Sequence, residues 1–172
     1  MTVKFWGQHE IREEYQAIFW YIFLVEDTLG ESVDLINEFI HSNYFTDFCL
    51  PFIVKKYTGE NDRFLQRAFN RDVLDLSFFR SFNKKELKNF FEEYAGSASW
   101  GDDRNAFVTL IKRFNDIFNS EVGDQFFLIS KEWFTSGDKI LNADSEFYIY
   151  YFLIVWFETD KKVINICELN YD

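Results

Sequence analysis

Apolar residues recur every three or four positions along most of the chain, which is the spacing of one face of an α-helix. The longest such segment runs from about His9 to Thr28, and Gly30 ends it. Its apolar positions are Ile11, Tyr15, Ile18, Phe19, Ile22 and Phe23. The second half of the segment is apolar on every side, so we expect a first helix that is buried over most of its surface.

Four further segments between residues 31 and 82 show the same spacing and are predicted as shorter helices. They begin at Glu31-Ser32, Tyr44, Asn61 and Asp72. The helix from Tyr44 to Tyr57 contains Pro51, the single proline of the chain, which must mark either a kink or a first helical turn.

Two later helices have clearer boundaries. Asn83 precedes Glu86 by three residues, which is the arrangement of a capping box, and Gly96 supplies the end of that helix. The next helix is capped by Asp102 or Asp103, and its apolar positions keep a strict helical spacing over four turns.

The last part of the chain predicts β-structure. The segments Phe147 to Phe157 and Val163 to Leu169 are rich in aromatic and β-branched residues, and the polar residues between them predict a hairpin loop. Both alternating sets of the first strand are apolar, so this strand needs cover on both faces, from helices, a second copy or a partner. Phe126 to Ile129 is a further candidate for a short strand.

These patterns predict a single domain, residues 1–172, of the α+β class and mostly α. We expect a body of six or seven helices that is closed by a C-terminal antiparallel β-hairpin or by a small sheet that contains it. A chain of 172 residues is long enough to bury a sizeable core.

Composition and charge narrow the classes of partner. Aromatic residues make up 22% of the chain, which excludes intrinsic disorder, and the net charge is −11. Such a charge disfavours direct binding to nucleic acid or to an anionic membrane, because both depend on lysine and arginine. A negative field favours basic partners, although acidity also serves solubility alone.

The cysteines and the N-terminus indicate a reducing compartment. Cys49 and Cys167 each lie in an apolar run and are predicted to be buried free thiols. The first residues lack the features of a signal peptide, and the apolar runs are shorter than the roughly 20 residues that a membrane-spanning helix needs. A cytoplasmic location is therefore expected.

The acidic residues are concentrated at the two ends of the chain. Residues 1–43 and 96–172 each have a net charge of −6, whereas residues 44–95 have +1. Candidate partner-binding residues are Glu10, Glu13 and Glu14 on the first helix, Trp100, Asp102 and Asp103 in a loop, and Glu158, Asp160, Glu168 and Asp172 on or beside the hairpin. Each group also has a purely structural explanation. The glutamates would interact favourably with the dipole at the start of the helix, Trp100 would pack onto the core, and the carboxylates of the hairpin would protect a strand edge from pairing.

The sequence offers little material for catalysis. Its only histidines are His9 and His41, so a nucleophile with a histidine base is difficult to build. Glu38 and His41 have the spacing of a di-iron motif, but the second copy that such a site needs is missing. There is no phosphate-binding glycine motif and no paired-cysteine zinc motif. We therefore predict no enzyme, no metal and no cofactor.

The chain resembles the immunity proteins of bacterial polymorphic-toxin and contact-dependent growth inhibition systems. The resemblance lies in the small, acidic, aromatic-rich chain and in its C-terminal part, where the aromatic strand Tyr148–Phe157 leads through a charged turn to a strand that ends in Asn170-Tyr171-Asp172. It implies a protein that binds and occludes a basic toxin, often a nuclease. The alternatives are a regulatory or structural homodimer formed through the hairpin and an enzyme with an unmarked carboxylate pair.

Overall fold

The computed structural model of the chain, which describes residues 1–26, 30–48, 52–54, 63–65, 67–97, 103–118 and 125–171, is built around one antiparallel sheet of six strands. The described strands are β1 (Val3–Glu13), β2 (Gln16–Val25), β3 (Phe52–Val54), β4 (Arg63–Leu65), β5 (Arg80–Phe82), β6 (Phe126–Ser130), β7 (Tyr150–Glu158) and β8 (Val163–Tyr171). The order in the sheet is β1-β2-β8-β7-β6-β5, while β3 and β4 pair separately.

Helices cover both faces of the sheet. The described α-helices are α1 (Ser32–Ile40), α2 (Asn43–Phe48), α3 (Lys84–Gly96) and α4 (Arg104–Phe118), and short 3₁₀ turns lie at Leu76–Phe78, Lys131–Trp133 and Ala143–Phe147. One face packs against α1, the start of α2 and the segments around residues 68–79 and 140–148. The other face packs against α3 and α4. We call these the α1 face and the α4 face.

The centre of the sheet is buried on both sides. Every residue of β7 and β8 is buried, and successive residues alternate between the two apolar clusters. Tyr151 and Leu153 belong to the α1 face, whereas Phe152 and Ile154 belong to the α4 face. The predicted need for cover on both faces of this strand is confirmed, and helices of the same chain supply it.

The predicted helical body of six or seven helices is wrong. The segment from His9 to Thr28 is not a helix: its described residues complete the hairpin of β1 and β2, which pair from Val3↔Val25 to Glu13↔Gln16. The reason lies in β2, where nine of the ten residues are apolar and both faces are in contact with other parts of the chain. A run that is apolar on every side carries no period, so it fits a helix and a buried strand equally well.

Other predicted helices are shorter or are extended. In the segment predicted as a helix from Tyr44, the described residues up to Phe48 belong to α2 and residues 52–54 form β3, while Pro51 lies outside the described residues. Residues 63–65 form β4, and the segment from Asp72 to Phe82 contains one 3₁₀ turn followed by β5. Short aromatic runs at these positions pair as strands because neighbouring strands are available, which local spacing does not reveal.

Several predicted elements are confirmed. The segment after Ser32 is α1, and α3 begins at a complete capping box in which Asn83 accepts a hydrogen bond from the Glu86 amide while the Glu86 side chain accepts one from the Asn83 amide. The helix that follows Asp103 is α4, and the segment from Phe126 is β6. The C-terminal hairpin is confirmed as β7 and β8, although it lies in the middle of the sheet instead of closing a helical body.

The two edges of the sheet are unequal. The outer strand β1 has 11 residues, whereas β5 at the opposite edge has 3. The pairing of β1 with β2 shifts by one residue between Phe5 and Gly7, which is the signature of a β-bulge. Phe5 and Trp6 beside the bulge are 52% and 62% exposed.

The turn between β1 and β2 contains a residue in a left-handed conformation. Glu14 has φ of +54°, and Lys162 in the turn between β7 and β8 has the same value. A side chain makes this conformation unfavourable by about 1 kcal/mol or more, which is why such positions favour glycine.

We predict that Glu14→Gly raises the free energy of unfolding by up to about 1 kcal/mol, because glycine removes the steric penalty at this φ. Lys162→Gly, at the equivalent angle, should show the same sign. Urea denaturation of both variants measures the effect. A helix across residues 9–28 would require the opposite result for Glu14→Gly, a loss of about 1 kcal/mol, since glycine is a poor residue inside a helix.

Candidate functional site

One end of the sheet brings together acidic and exposed apolar side chains from three parts of the chain. The pairing aligns Gln16 of β2 with Tyr171 of β8 and Tyr150 of β7 at this end. Residues just beyond or beside that row form a surface that we call the acidic end: Glu13, Glu14, Tyr15, Asp103 and Ile149. Tyr15 and Ile149 are 64% and 58% exposed, so the surface carries apolar groups among carboxylates.

A buried glutamine connects the sheet to this surface. Gln16 is 1% exposed, and its Oε1 accepts a hydrogen bond from the Tyr150 hydroxyl at 2.8 Å. Its Nε2 donates to the backbone carbonyl of Asp103 at 3.0 Å. The Tyr171 hydroxyl donates to Oδ2 of Asp103 at 2.6 Å. Both the backbone and the side chain of Asp103 are thereby held by the sheet.

The electrostatic surroundings of the acidic end are negative at its tip. The Tyr171 hydroxyl donates a hydrogen bond to the Asp103 carboxylate, and this bond is the main reason that the pKa of Tyr171 is raised to about 12. The nearby Glu14 carboxylate contributes to this increase. Arg113 of α4 pairs with Glu13 and also donates to the backbone carbonyl of Arg12. Among the described residues, neither Glu14 nor Asp103 forms an ion pair.

The other predicted binding residues do not join this surface. Glu10 lies on β1 and pairs with Arg12 on the α1 face of the sheet. Glu158 and Asp160 lie at the opposite end of the central hairpin, eight positions along β8 and thus about 26 Å away. Trp100, Asp102 and Asp172 lie outside the described residues.

Glu168 is an interior residue and not a surface carboxylate. It is 1% exposed and forms an ion pair with Arg67, whose guanidinium also lies 5.9 Å from the centre of the Tyr21 ring. Burial raises the pKa of the Glu168 carboxyl well above its usual range. We predicted from its position in the hairpin that Glu168 is exposed. Because β8 lies in the centre of the sheet, the Glu168 side chain is instead buried on the α1 face.

Glu158 is also buried, on the other face. Its Oε1 accepts a hydrogen bond from Nδ2 of Asn165 at 2.8 Å, and Oδ1 of Asn165 accepts one from the Trp20 indole at 2.9 Å. Nζ of Lys161 lies 3.1 Å from the second carboxylate oxygen of Glu158, Oε2. This chain of contacts satisfies polar groups in the core, which assigns Glu158 a structural role.

Sequence reasoning missed Tyr15, Gln16 and Ile149. Tyr15 was placed on the buried stripe of a helix, whereas it is one of the two turn residues of a hairpin. The available signal was the run of polar residues from Glu13 to Gln16 between two segments rich in β-formers, which also fits a short turn. Nothing local marks Gln16, because its partners are 87 and 134 residues away.

The described residues offer no evident catalytic constellation. They contain no group of three or more histidine, cysteine or acidic residues that could hold a metal. The two buried glutamates, Glu158 and Glu168, lie on opposite faces of the sheet and cannot act as a pair. Cys167 is a buried free thiol, as predicted, and burial raises its pKa, which makes it a poor nucleophile. Cys49 lies outside the described residues.

Two of the open clefts that described residues line lie away from the acidic end. One, of about 320 Å³, lies between α3 and α4 and is lined by both acidic and basic side chains. The other, of about 300 Å³, lies beside the loop at residues 136–146. Neither cleft reaches Glu158 or Glu168.

None of the helices within the described ranges is sufficiently long and apolar to traverse a lipid bilayer. Comparison with protein-family models, with curated proteins and with solved structures finds no match.

We predict that Glu168→Gln lowers the free energy of unfolding by about 3 kcal/mol or more, because it removes the charge of one partner in a buried ion pair. Asp160→Asn, an exposed carboxylate on the same hairpin, should change it by less than about 0.5 kcal/mol. Chemical denaturation of both variants compares the two. Equal effects would show that the buried pair does not stabilise the fold.

We predict that the chain loses stability in alkaline solution and that deprotonation of Tyr171 contributes to this loss. The folded chain raises the pKa of Tyr171 to about 12 from an ordinary value of 10.0, so it binds that proton more tightly than the unfolded chain does. The resulting stabilisation is complete below about pH 10 and is lost as pH rises towards 12. The free energy of unfolding of Tyr171→Phe should therefore fall less steeply with rising pH than that of the wild type. Parallel plots of the two free energies against pH would contradict the raised pKa.

Proposed function

We propose that this chain is a binding protein that neutralises a basic protein toxin, with a nuclease as the favoured class, in the cytoplasm of the cell that makes it. The acidic end supplies the contact. Its carboxylates enter a cationic cleft that would otherwise hold phosphates, and Tyr15 and Ile149 supply the apolar centre. The observation that carries the proposal is the exposure of Tyr15, at 64%, beside Glu13, Glu14 and Asp103.

The chemistry of the surface fits such a partner. Exposed tyrosines are frequent anchors of protein interfaces, and their rings also attract lysine and arginine cations. Glu14 and Asp103 form no ion pair among the described residues, so their negative charge attracts a basic partner. Charge complementarity of this kind speeds association, while the anchor side chains prolong the complex.

The conformation of Glu14 adds support. A residue at φ of +54° in a tight turn is usually glycine, asparagine or aspartate, because a longer side chain is unfavourable there. Strained positions of this kind occur at functional sites, where the side chain itself is needed. The carboxylate of Glu14, at the tip of the hairpin, is such a group.

The alternative of a homodimer through the C-terminal hairpin has less support. That interface would use Tyr148, Tyr150 and Trp156, and each of these side chains is at most 1% exposed within a single chain. The alternative of an enzyme with a carboxylate pair has less support, because the two buried glutamates, Glu158 and Glu168, lie on opposite faces of the sheet.

Charge reversal at the acidic end tests the proposal. The basic partner is captured from native lysate at low ionic strength and purified, and its association rate is measured by stopped-flow fluorescence. Glu14→Lys should slow association about tenfold or more, because it reverses the field at the point of contact. Tyr15→Ala should leave the association rate nearly unchanged and speed dissociation at least tenfold.

Asp160→Lys is the matched control, since it changes the net charge by the same amount at the far end of the sheet. It should reduce the association rate much less than Glu14→Lys. Added salt should slow the wild-type association steeply, because it screens the attraction. An association rate that is independent of salt, or equal for Glu14→Lys and Asp160→Lys, would rule out the acidic end as the contact surface.

A further inference from the structure

Gln16 is the most fully enclosed polar side chain at the acidic end, and no part of the proposed contact uses it directly. It is 1% exposed, and its amide joins the Tyr150 hydroxyl on one side to the Asp103 carbonyl on the other. These two hydrogen bonds connect the central strand β7, the hairpin turn that precedes β2 and the start of α4.

We propose that Gln16 is a positioning residue that fixes Asp103 relative to Glu14 and Tyr15, so that the three act as one docking surface. The inference rests on the proposed function. Glu14 and Tyr15 immediately precede Gln16 in the chain, and Asp103 is 87 residues away, so their relative position is set by contacts across the fold.

The two bonds of the amide have different consequences. The bond from Nε2 reaches Asp103 and therefore holds the start of α4, whereas the bond to Oε1 comes from Tyr150 within the core. Loss of the first bond removes the link between the Asp103 backbone and the sheet, while the Tyr171 hydroxyl still holds its carboxylate. Loss of the second leaves the contact with Asp103 in place. This asymmetry separates positioning from general stability.

A substitution at each position tests the role. Gln16→Met has nearly the same length but forms neither bond, and Tyr150→Phe removes the bond within the core but keeps the bond from Gln16 to Asp103. An oligolysine peptide serves as the probe for the acidic end. Because neither variant alters the charge, Gln16→Met should keep the wild-type association rate and dissociate about tenfold faster. Tyr150→Phe should lower the unfolding temperature but dissociate at the wild-type rate.

Amide hydrogen exchange gives a second measurement that needs no ligand. Amides of residues 107–109 bond back to residues 103–105 in the first turns of α4. Gln16→Met should speed their exchange at least tenfold relative to Tyr150→Phe, with no difference at the amides of β6.

The outcomes separate the two proposals. Equal dissociation rates and equal exchange for Gln16→Met and Tyr150→Phe would overturn the positioning role and leave the docking surface intact. If wild type does not bind oligolysine, or if Glu14→Lys does not weaken that binding, the proposed function fails instead. The exchange measurement then still decides whether Gln16 holds Asp103.

Discussion

The two-sided burial of β7 and β8 is the constraint on which the rest of the structure depends. A strand pair with apolar side chains on both faces is stable only where each face is covered, so helices must lie on both sides of the sheet. α3 and α4 supply one layer, and α1 with the loop segments supplies the other. At the end nearest the β1–β2 turn, the strands finish in the buried row from Gln16 to Tyr150, and the exposed turn residue Tyr15 lies just beyond it.

The sequence predicted the elements whose marks are local. The capping box at Asn83 and the helical spacing before Phe118 depend on residues within one or two turns, and both helices are present. The C-terminal hairpin was also predicted, from its two runs of aromatic and β-branched residues and the polar loop between them. The β1–β2 hairpin was not, because β2 is apolar on every side and Ile11, Tyr15 and Ile18, which lie on either side of and within the turn, happen to fall three or four positions apart.

The candidate site was predictable in part for the same reason. Charge counting found the acidic residues at both ends of the chain, and its candidates include Glu13, Glu14 and Asp103, which the structure places at one end of the sheet. It could not tell which carboxylates meet, because that depends on pairing between distant strands. Glu158 and Glu168 illustrate the difficulty: both lie on the central hairpin, but the register sends one to each face and buries both.

The unequal edges of the sheet limit how this chain can associate with copies of itself. An open-ended fibre of sheets needs two free edges of useful length, one to add to the next molecule and one to accept the previous molecule. Here β5 offers only three residues, whereas β1 offers eleven. Backbone pairing through the described strands can therefore join two long edges into a closed, two-fold pair, but it cannot continue from molecule to molecule. Within the described strands, repeated strand addition is thus limited by the short edge β5, independently of the charges on β1.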